Sequence, residues 1–194
     1  SSIDRTKEYQ LLPELKDLYH AIMMKNTELV KCLLDVKQVP EEKDKEGGAC
    51  KEESSDDSGC WLKPDRKFLL LGVRQERVDL IECLLNANKN LKPDQEILQQ
   101  AAYTGKVDLV EFICNINENL ELNQDALYAA VGSGNVELVK FICNKNEYLQ
   151  PNQRVLTQAA FCCDLELVEF FCDTNNNLQP NQGTLDAAAE SGYV

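Results

Sequence analysis

The segment Leu109-Val110-Glu111-Phe112-Ile113-Cys114 decides the fold because it returns. It reappears as Leu138-Val139-Lys140-Phe141-Ile142-Cys143 and as Leu167-Val168-Glu169-Phe170-Phe171-Cys172, with Leu80-Ile81-Glu82-Cys83-Leu84-Leu85 upstream. The spacing is 29 residues each time. Self-similarity at a fixed period of this size is the mark of a repeat architecture. Only one residue of each hexapeptide is strongly polar, so a helix built on it is apolar around most of its girth and needs cover on several sides. A single repeat cannot supply that cover, but stacked neighbours can.

Working outward, other columns keep the same period. Leu91, Leu120, Leu149 and Leu178 open a short Leu-x-(Pro or Leu)-(Asp or Asn)-Gln segment. Leu98, Leu127, Leu156 and Leu185 follow, then Ala101, Ala130, Ala159 and Ala188. Gly105, Gly134 and Gly192 punctuate the unit, with Cys163 in their column. The unit reads as two helices. Pro93, Pro151 and Pro180 are expected to begin helix one, where a missing N–H costs nothing. Asp94, Asn123, Asn152 and Asn181 would then lie in its first turn, where the dipole favours an Asp. The Gly supplies a left-handed residue for a tight turn into helix two.

The front of the chain fits the same frame. Leu18 to Leu34 aligns without gaps on Leu127 to Cys143, and Leu62-Lys63-Pro64-Asp65 aligns on Leu91-Lys92-Pro93-Asp94. About 22 residues are inserted between them. The organisation expected is an N-terminal repeat over 1–37, an acidic insert over 38–60, and four near-complete repeats plus a truncated one over 61–194, together one continuous all-α array. The last unit stops where a second helix should start, so the natural chain is expected to continue past Val194. A truncated last repeat would expose an apolar face. The start at Ser1, without Met, reads as a fragment.

Charge narrows the function. The 194 residues hold 33 acids against 20 bases, a net charge of −13. Phosphate backbones and anionic membranes repel such a chain, so neither nucleic acid nor membrane insertion is expected. The longest apolar run, near Phe68–Val73, is far too short to span a bilayer. The nine cysteines are odd in number and occur without a secretory feature. They read as reduced thiols in a cytoplasmic, reducing compartment. Cys32, Cys83, Cys114, Cys143 and Cys172 fall in helix-two columns otherwise filled by Phe or Leu, so packing explains them.

Sites of chemistry are absent from the pattern. Cys50 and Cys60 are too far apart for a zinc knuckle, Cys162 and Cys163 are adjacent, and no Cys-x-x-Cys occurs. His20, the single histidine, has only Tyr19 and Met23 in neighbouring columns, which makes no nucleophile–base pair. No phosphate-cradling glycine loop is present. No catalytic residue, metal or cofactor is therefore expected. Glu41 to Asp57 holds eight acids and three bases without apolar periodicity, as in a solvated loop. Ser54-Ser55-Asp56-Asp57 is the phosphorylation candidate there. Asn-rich loops such as Asn175-Asn176-Asn177 read as a compositional bias.

The stretches Ala129-Ala130-Val131-Gly132-Ser133-Gly134-Asn135-Val136-Glu137-Leu138-Val139-Lys140-Phe141-Ile142 and Ala101-Ala102-Tyr103-Thr104-Gly105-Lys106-Val107-Asp108-Leu109-Val110 resemble the helix–turn–helix signature of ankyrin repeats. The unit is four residues shorter than the family's 33 and lacks its Thr-Pro-Leu-His start; Glu96-Ile97-Leu98-Gln99 stands there. The shortage falls where the family places its β-hairpin finger, so short loops are expected in place of full fingers. Leu91-Lys92-Pro93-Asp94-Gln95 also resembles the opening of TAL-effector repeats, whose longer unit and basic backbone contacts this acidic chain does not share.

The ankyrin resemblance implies a protein–protein interaction scaffold that binds through a concave groove lined by helix-one residues. The candidate partner-binding residues are His20, Arg74, Gln99, Tyr103, Thr104, Tyr128, Thr157, Gln158 and Phe161. Tyr103 and Phe161 share a column two repeats apart, and aromatics in a polar groove are candidate hot spots. The partner expected is another protein with a basic or mixed-charge surface. The alternative is the targeting or regulatory arm of a larger enzyme, or of a secreted pathogen effector acting in host cytosol, with catalysis outside this fragment.

Overall fold

The structure, a computed structural model, describes residues 14–35 and 62–192. Among the described residues there are eleven α-helices and no strand. They run as α1 (Leu15–Met23), α2 (Thr27–Leu34), α3 (Arg66–Arg74), α4 (Val78–Ala87), α5 (Gln95–Tyr103) and α6 (Val107–Ile116). Then follow α7 (Gln124–Ser133), α8 (Val136–Lys145), α9 (Gln153–Phe161), α10 (Leu165–Thr174) and α11 (Gln182–Glu190). Odd-numbered helices are the first of each pair and stack on one another, α3 on α5, α5 on α7, α7 on α9 and α9 on α11. The insert at 38–60, with Cys50, Cys60 and the Ser54–Asp57 candidate, lies outside the described residues.

The core follows the 29-residue columns. Leu98, Leu127 and Leu156 are fully buried, as are Val110 and Val139 and also Ile113 and Ile142 one turn on. Each such side chain contributes about 1.5–3 kcal/mol by leaving water. At the last repeat, where no further helix stacks among the described residues, the same columns open. Leu185 is 59% exposed, and Val168, in the column of Val110 and Val139, is only half-buried.

Helix one begins later than the proline. Pro93 precedes Asp94, and Asp94 is the N-cap, its Oδ1 accepting from the Ile97 N–H at 3.0 Å. Asp65, Asn123, Asn152 and Asn181 cap their helices in the same way. An Asp or Asn cap satisfies an orphan donor that a proline at the first position leaves open. The turn between helices meets expectation more widely than the glycines alone show. Lys25, Glu76, Gly105, Gly134, Cys163 and Gly192 share one column, and all have positive φ, between 55° and 77°.

The loops replacing the fingers are held by an asparagine ladder that the sequence reading missed. Asn88, Asn117, Asn146 and Asn175 follow the helix-two ends. Their Nδ2 atoms donate to the carbonyls of Pro64, Pro93, Leu122 and Pro151 at 2.9–3.1 Å. Their Oδ1 atoms accept from the N–H two residues on, in each of the four loops. Each repeat is thereby tied to the opening of its own helix one, and the loop backbone is satisfied without a hairpin.

The cysteine reading needs one correction. Cys83, Cys114, Cys143 and Cys172 are half-buried and pack against the core, but Cys32 is exposed. Cys32 sits on the first described repeat, where no preceding helix pair among the described residues covers its column. Burial pushes the thiols of Cys83 and Cys114 up, and that of Cys143 to about 11.

The first repeat joins the second by packing and by a polar junction. α2 packs on α4, and Leu18, Ile22, Val30, Phe68 and Leu84 share one buried cluster. Arg77 donates to both carboxylate oxygens of Asp79, at 2.8 and 2.6 Å, and to Thr27 Oγ1. Thr27 in turn donates to Asp79 Oδ2 at 3.2 Å. The Arg77 guanidinium holds the Asp79 carboxyl at about 2, with Thr27 assisting and partial burial opposing.

Two outcomes are expected. Replacing Asn117 with Ala leaves the Pro93 carbonyl without its donor and should lower unfolding free energy by about 1–3 kcal/mol in urea titration. The folded Asp79 carboxyl lies below its unfolded value of about 3.9, so its stabilisation is complete above about pH 4 and fades as pH falls toward 2. The urea midpoint of Asp79→Asn should therefore fall less between pH 4 and pH 2 than that of the wild type.

Candidate functional site

The helix-one columns form one continuous surface across the stack. At its centre lies a depression of about 440 Å³ between α5, α7 and α9. Gln99, Gln100 and Tyr103 line it from α5, Asp125, Tyr128, Ala129 and Gly132 from α7, and Arg154 and Gln158 from α9. These positions point away from the core because the spacing of three and four places Leu98, Ala101 and Ala102 inward.

The residues are cross-linked between repeats. The Tyr128 hydroxyl donates to Gln158 Oε1 at 2.8 Å. Arg154 Nη1 donates to Asp125 Oδ1 at 3.0 Å, and its guanidinium carbon lies 3.9 Å from the Tyr128 ring centroid. Arg154 therefore stacks on one face of Tyr128 while Asp125 holds its charge, a cation–π arrangement of the ordinary kind. Tyr103 leans toward Gly132, whose position would place a Cβ 3.5 Å from Tyr103 Cε2, so a small residue there makes room for the ring. Tyr103 is nevertheless 63% exposed.

The other candidates distribute around this centre. Arg74 reaches across from α3, its Nε donating to Gln100 Oε1 at 3.4 Å. Phe161 is 49% exposed at the end of α9, and Thr157 is half-buried on the same helix. His20 is exposed on α1, at the far end of the surface. Thr104 is not with them. Its hydroxyl donates to the Ala101 carbonyl at 2.7 Å, and it lines a separate depression with Gly105, Ser133 and Asn135 at the inter-helix turns. Asp125 and Arg154 were missed as site residues. Opposite charges exactly one period apart in one column were the signal.

Among the described residues, no three His, Cys, Asp or Glu side chains are grouped to hold a metal ion, and no helix is long and apolar enough to cross a membrane. What the geometry offers is a polar, aromatic surface of pre-positioned side chains.

A stack of helix pairs with short connecting loops and an open ridge of first helices defines a repeat-protein solenoid. Residues 69–154 match the family model of ankyrin repeats, in three copies. The pairs α1–α2 and α9–α10 and the single helix α11, outside or almost wholly outside the match, keep the same columns. No curated protein matches the chain. Ankyrin repeats are in general protein–protein interaction modules.

The links within the depression are surface links, worth little to the fold. Arg154→Ala should lower Tm by no more than about 2–4 °C, since an exposed ion pair and an exposed cation–π contact together amount to roughly 1 kcal/mol. Thermal unfolding followed by circular dichroism checks this, and a larger loss would make Arg154 a structural residue.

Proposed function

We propose that the helix-one surface binds a partner protein, with Gln99, Tyr103, Tyr128 and Gln158 at its centre and Arg74, Thr157, Phe161 and His20 extending it; Thr104 borders it from the turn. The observation that carries this reading is the division of polar groups. The loops spend theirs internally, in the asparagine ladder and in links such as Gln95 Nε2 to the Glu121 carbonyl at 2.7 Å. The helix-one surface keeps Tyr103 and Phe161 exposed, and aromatic anchors dominate binding energy at interfaces.

The domain reading that goes with this is a single array of 1–37 and 61–194, interrupted by the insert at 38–60. A mixed-charge partner suits the surface, since Asp186 and Glu190 stand on α11 at one end and Arg74 and Lys67 on α3 toward the other. The described cysteines are free thiols, which supports a reducing compartment.

The test is affinity capture with the chain immobilised, comparing wild type with the Tyr103→Ala/Phe161→Ala double variant. Both side chains are largely outside the core, so the double variant should keep the wild-type Tm. Capture of a specific partner should fall at least tenfold, equivalent to about 1.4 kcal/mol. Unchanged capture by the folded double variant would remove the groove from the account.

A further inference from the structure

Charge is not spread evenly over the two layers of the stack. The second helices α4, α6, α8 and α10 carry Asp79, Glu82, Asp108, Glu111, Glu137, Glu166, Glu169 and Asp173 against Lys140 and Lys145. The first helices α3, α5, α7 and α9 carry Arg66, Lys67, Arg74 and Arg154 against Glu96 and Asp125 alone. Both of those acids are already committed, Glu96 to Arg66 and Asp125 to Arg154. Arg66 and Arg154 are spent in those pairs, and α11 carries Asp186 and Glu190, so the cationic excess of the first-helix face lies at its α3 end.

The excess is concentrated at one corner. A second depression, about 270 Å³ and mostly apolar, lies between α1 and α3, lined by Tyr19, Lys67, Phe68, Leu70, Leu71 and Arg74. Lys67 and Arg74 are exposed and make no ion pair among the described residues, whereas Arg66, Arg77 and Arg154 all do. Tyr19 leaves about half its surface in solvent there. Of the acids on α1, α3 and their caps, Glu14 pairs with Lys16, Asp17 accepts from the Glu14 N–H and Asp65 accepts from the Lys67 N–H. An apolar hollow flanked by two unneutralised cations has a definite complement.

We propose that this corner binds a segment of a partner protein in which one large apolar side chain, of the Leu or Phe kind, is flanked by carboxylates. The hollow has room for one such side chain, and Lys67 and Arg74 meet the charges on either side of it. The proposal rests on the groove reading above and adds an orientation to it. The acidic part of the partner lies over the first two repeats, and any basic part lies toward Asp186 and Glu190. Charge complementarity of this kind sets register and speeds encounter.

The test uses a random 12-residue peptide display library selected on the immobilised chain, with enriched peptides then synthesised and titrated by fluorescence anisotropy. Enriched peptides should be net acidic around an apolar residue. Lys67→Glu/Arg74→Glu should weaken them at least tenfold, Lys67→Ala/Arg74→Ala by less, and added salt should weaken the wild-type complex. Both pairs are exposed, and an unchanged Tm certifies the fold. Enrichment of basic peptides, no enrichment, or binding indifferent to Lys67→Glu/Arg74→Glu overturns the proposal. Failure of the wider groove reading shows separately, as intact partner capture by the Tyr103→Ala/Phe161→Ala chain.

Discussion

A helix such as α6 has no dry environment within its own repeat. Leu109, Val110 and Ile113 are at most 1% exposed, yet they point in more than one direction around a ten-residue helix. Only neighbours on both sides can cover them, so every repeat depends on the next and the described helices are forced into a row. The consequence is visible where the row ends. The column that is sealed at Leu98, Leu127 and Leu156 stands open at Leu185, with the same residue type and the same helix position. Burial here belongs to the neighbour, and local sequence does not determine it.

That dependence explains why so much of the fold could be read from residues alone. A column that must be apolar in every copy advertises itself at the period of the stack, and the left-handed turn column does the same through Gly105, Gly134 and Gly192. Lys25, Glu76 and Cys163 adopt the same positive φ without being glycine, because the packed helices on either side fix the turn and the strain is tolerated. The asparagine ladder stayed hidden for the opposite reason. Asn117 and Asn175 sit in loops already crowded with Asn, Glu and Leu, where a single recurring amide is masked by composition. Their role depends on a carbonyl 24 residues back, which no local pattern displays. The capping role of Asp94 was misplaced by one step because the proline beside it is the stronger local signal.

The candidate site was legible in part for a related reason. Variable columns between constant ones mark the surface the stack leaves free, which picks out Gln99, Tyr103, Tyr128 and Gln158 directly. Coupling across repeats was not legible in the same way. Arg154 neutralises Asp125 and covers Tyr128, so three residues from two repeats act as one unit. Thr104 shows the converse, since a position that varies like a surface residue spends its hydroxyl on the backbone of its own helix.

Shortening the unit to 29 residues has a functional cost and a compensation. A longer ankyrin unit has room for a hairpin finger at this place. Here residues 88–94, 117–123 and 146–152 are drawn tight, and their donors and acceptors are used to hold the end of each repeat to the opening of its own helix one. A partner approaching those loops meets polar groups that would have to give up existing bonds, which makes little net gain. In the proposed mode of binding, specificity comes from the first helices, where side chains can change without touching the stack. The separation of charge follows the same division of labour. The second helices carry the solubilising acids, and the first helices are left free to carry Lys67 and Arg74 beside an apolar hollow. An acidic protein can thus recognise an acidic segment, because the local field a partner meets in the groove is set by the few charges nearest to it and the distant ones are screened beyond a Debye length of about 8–10 Å.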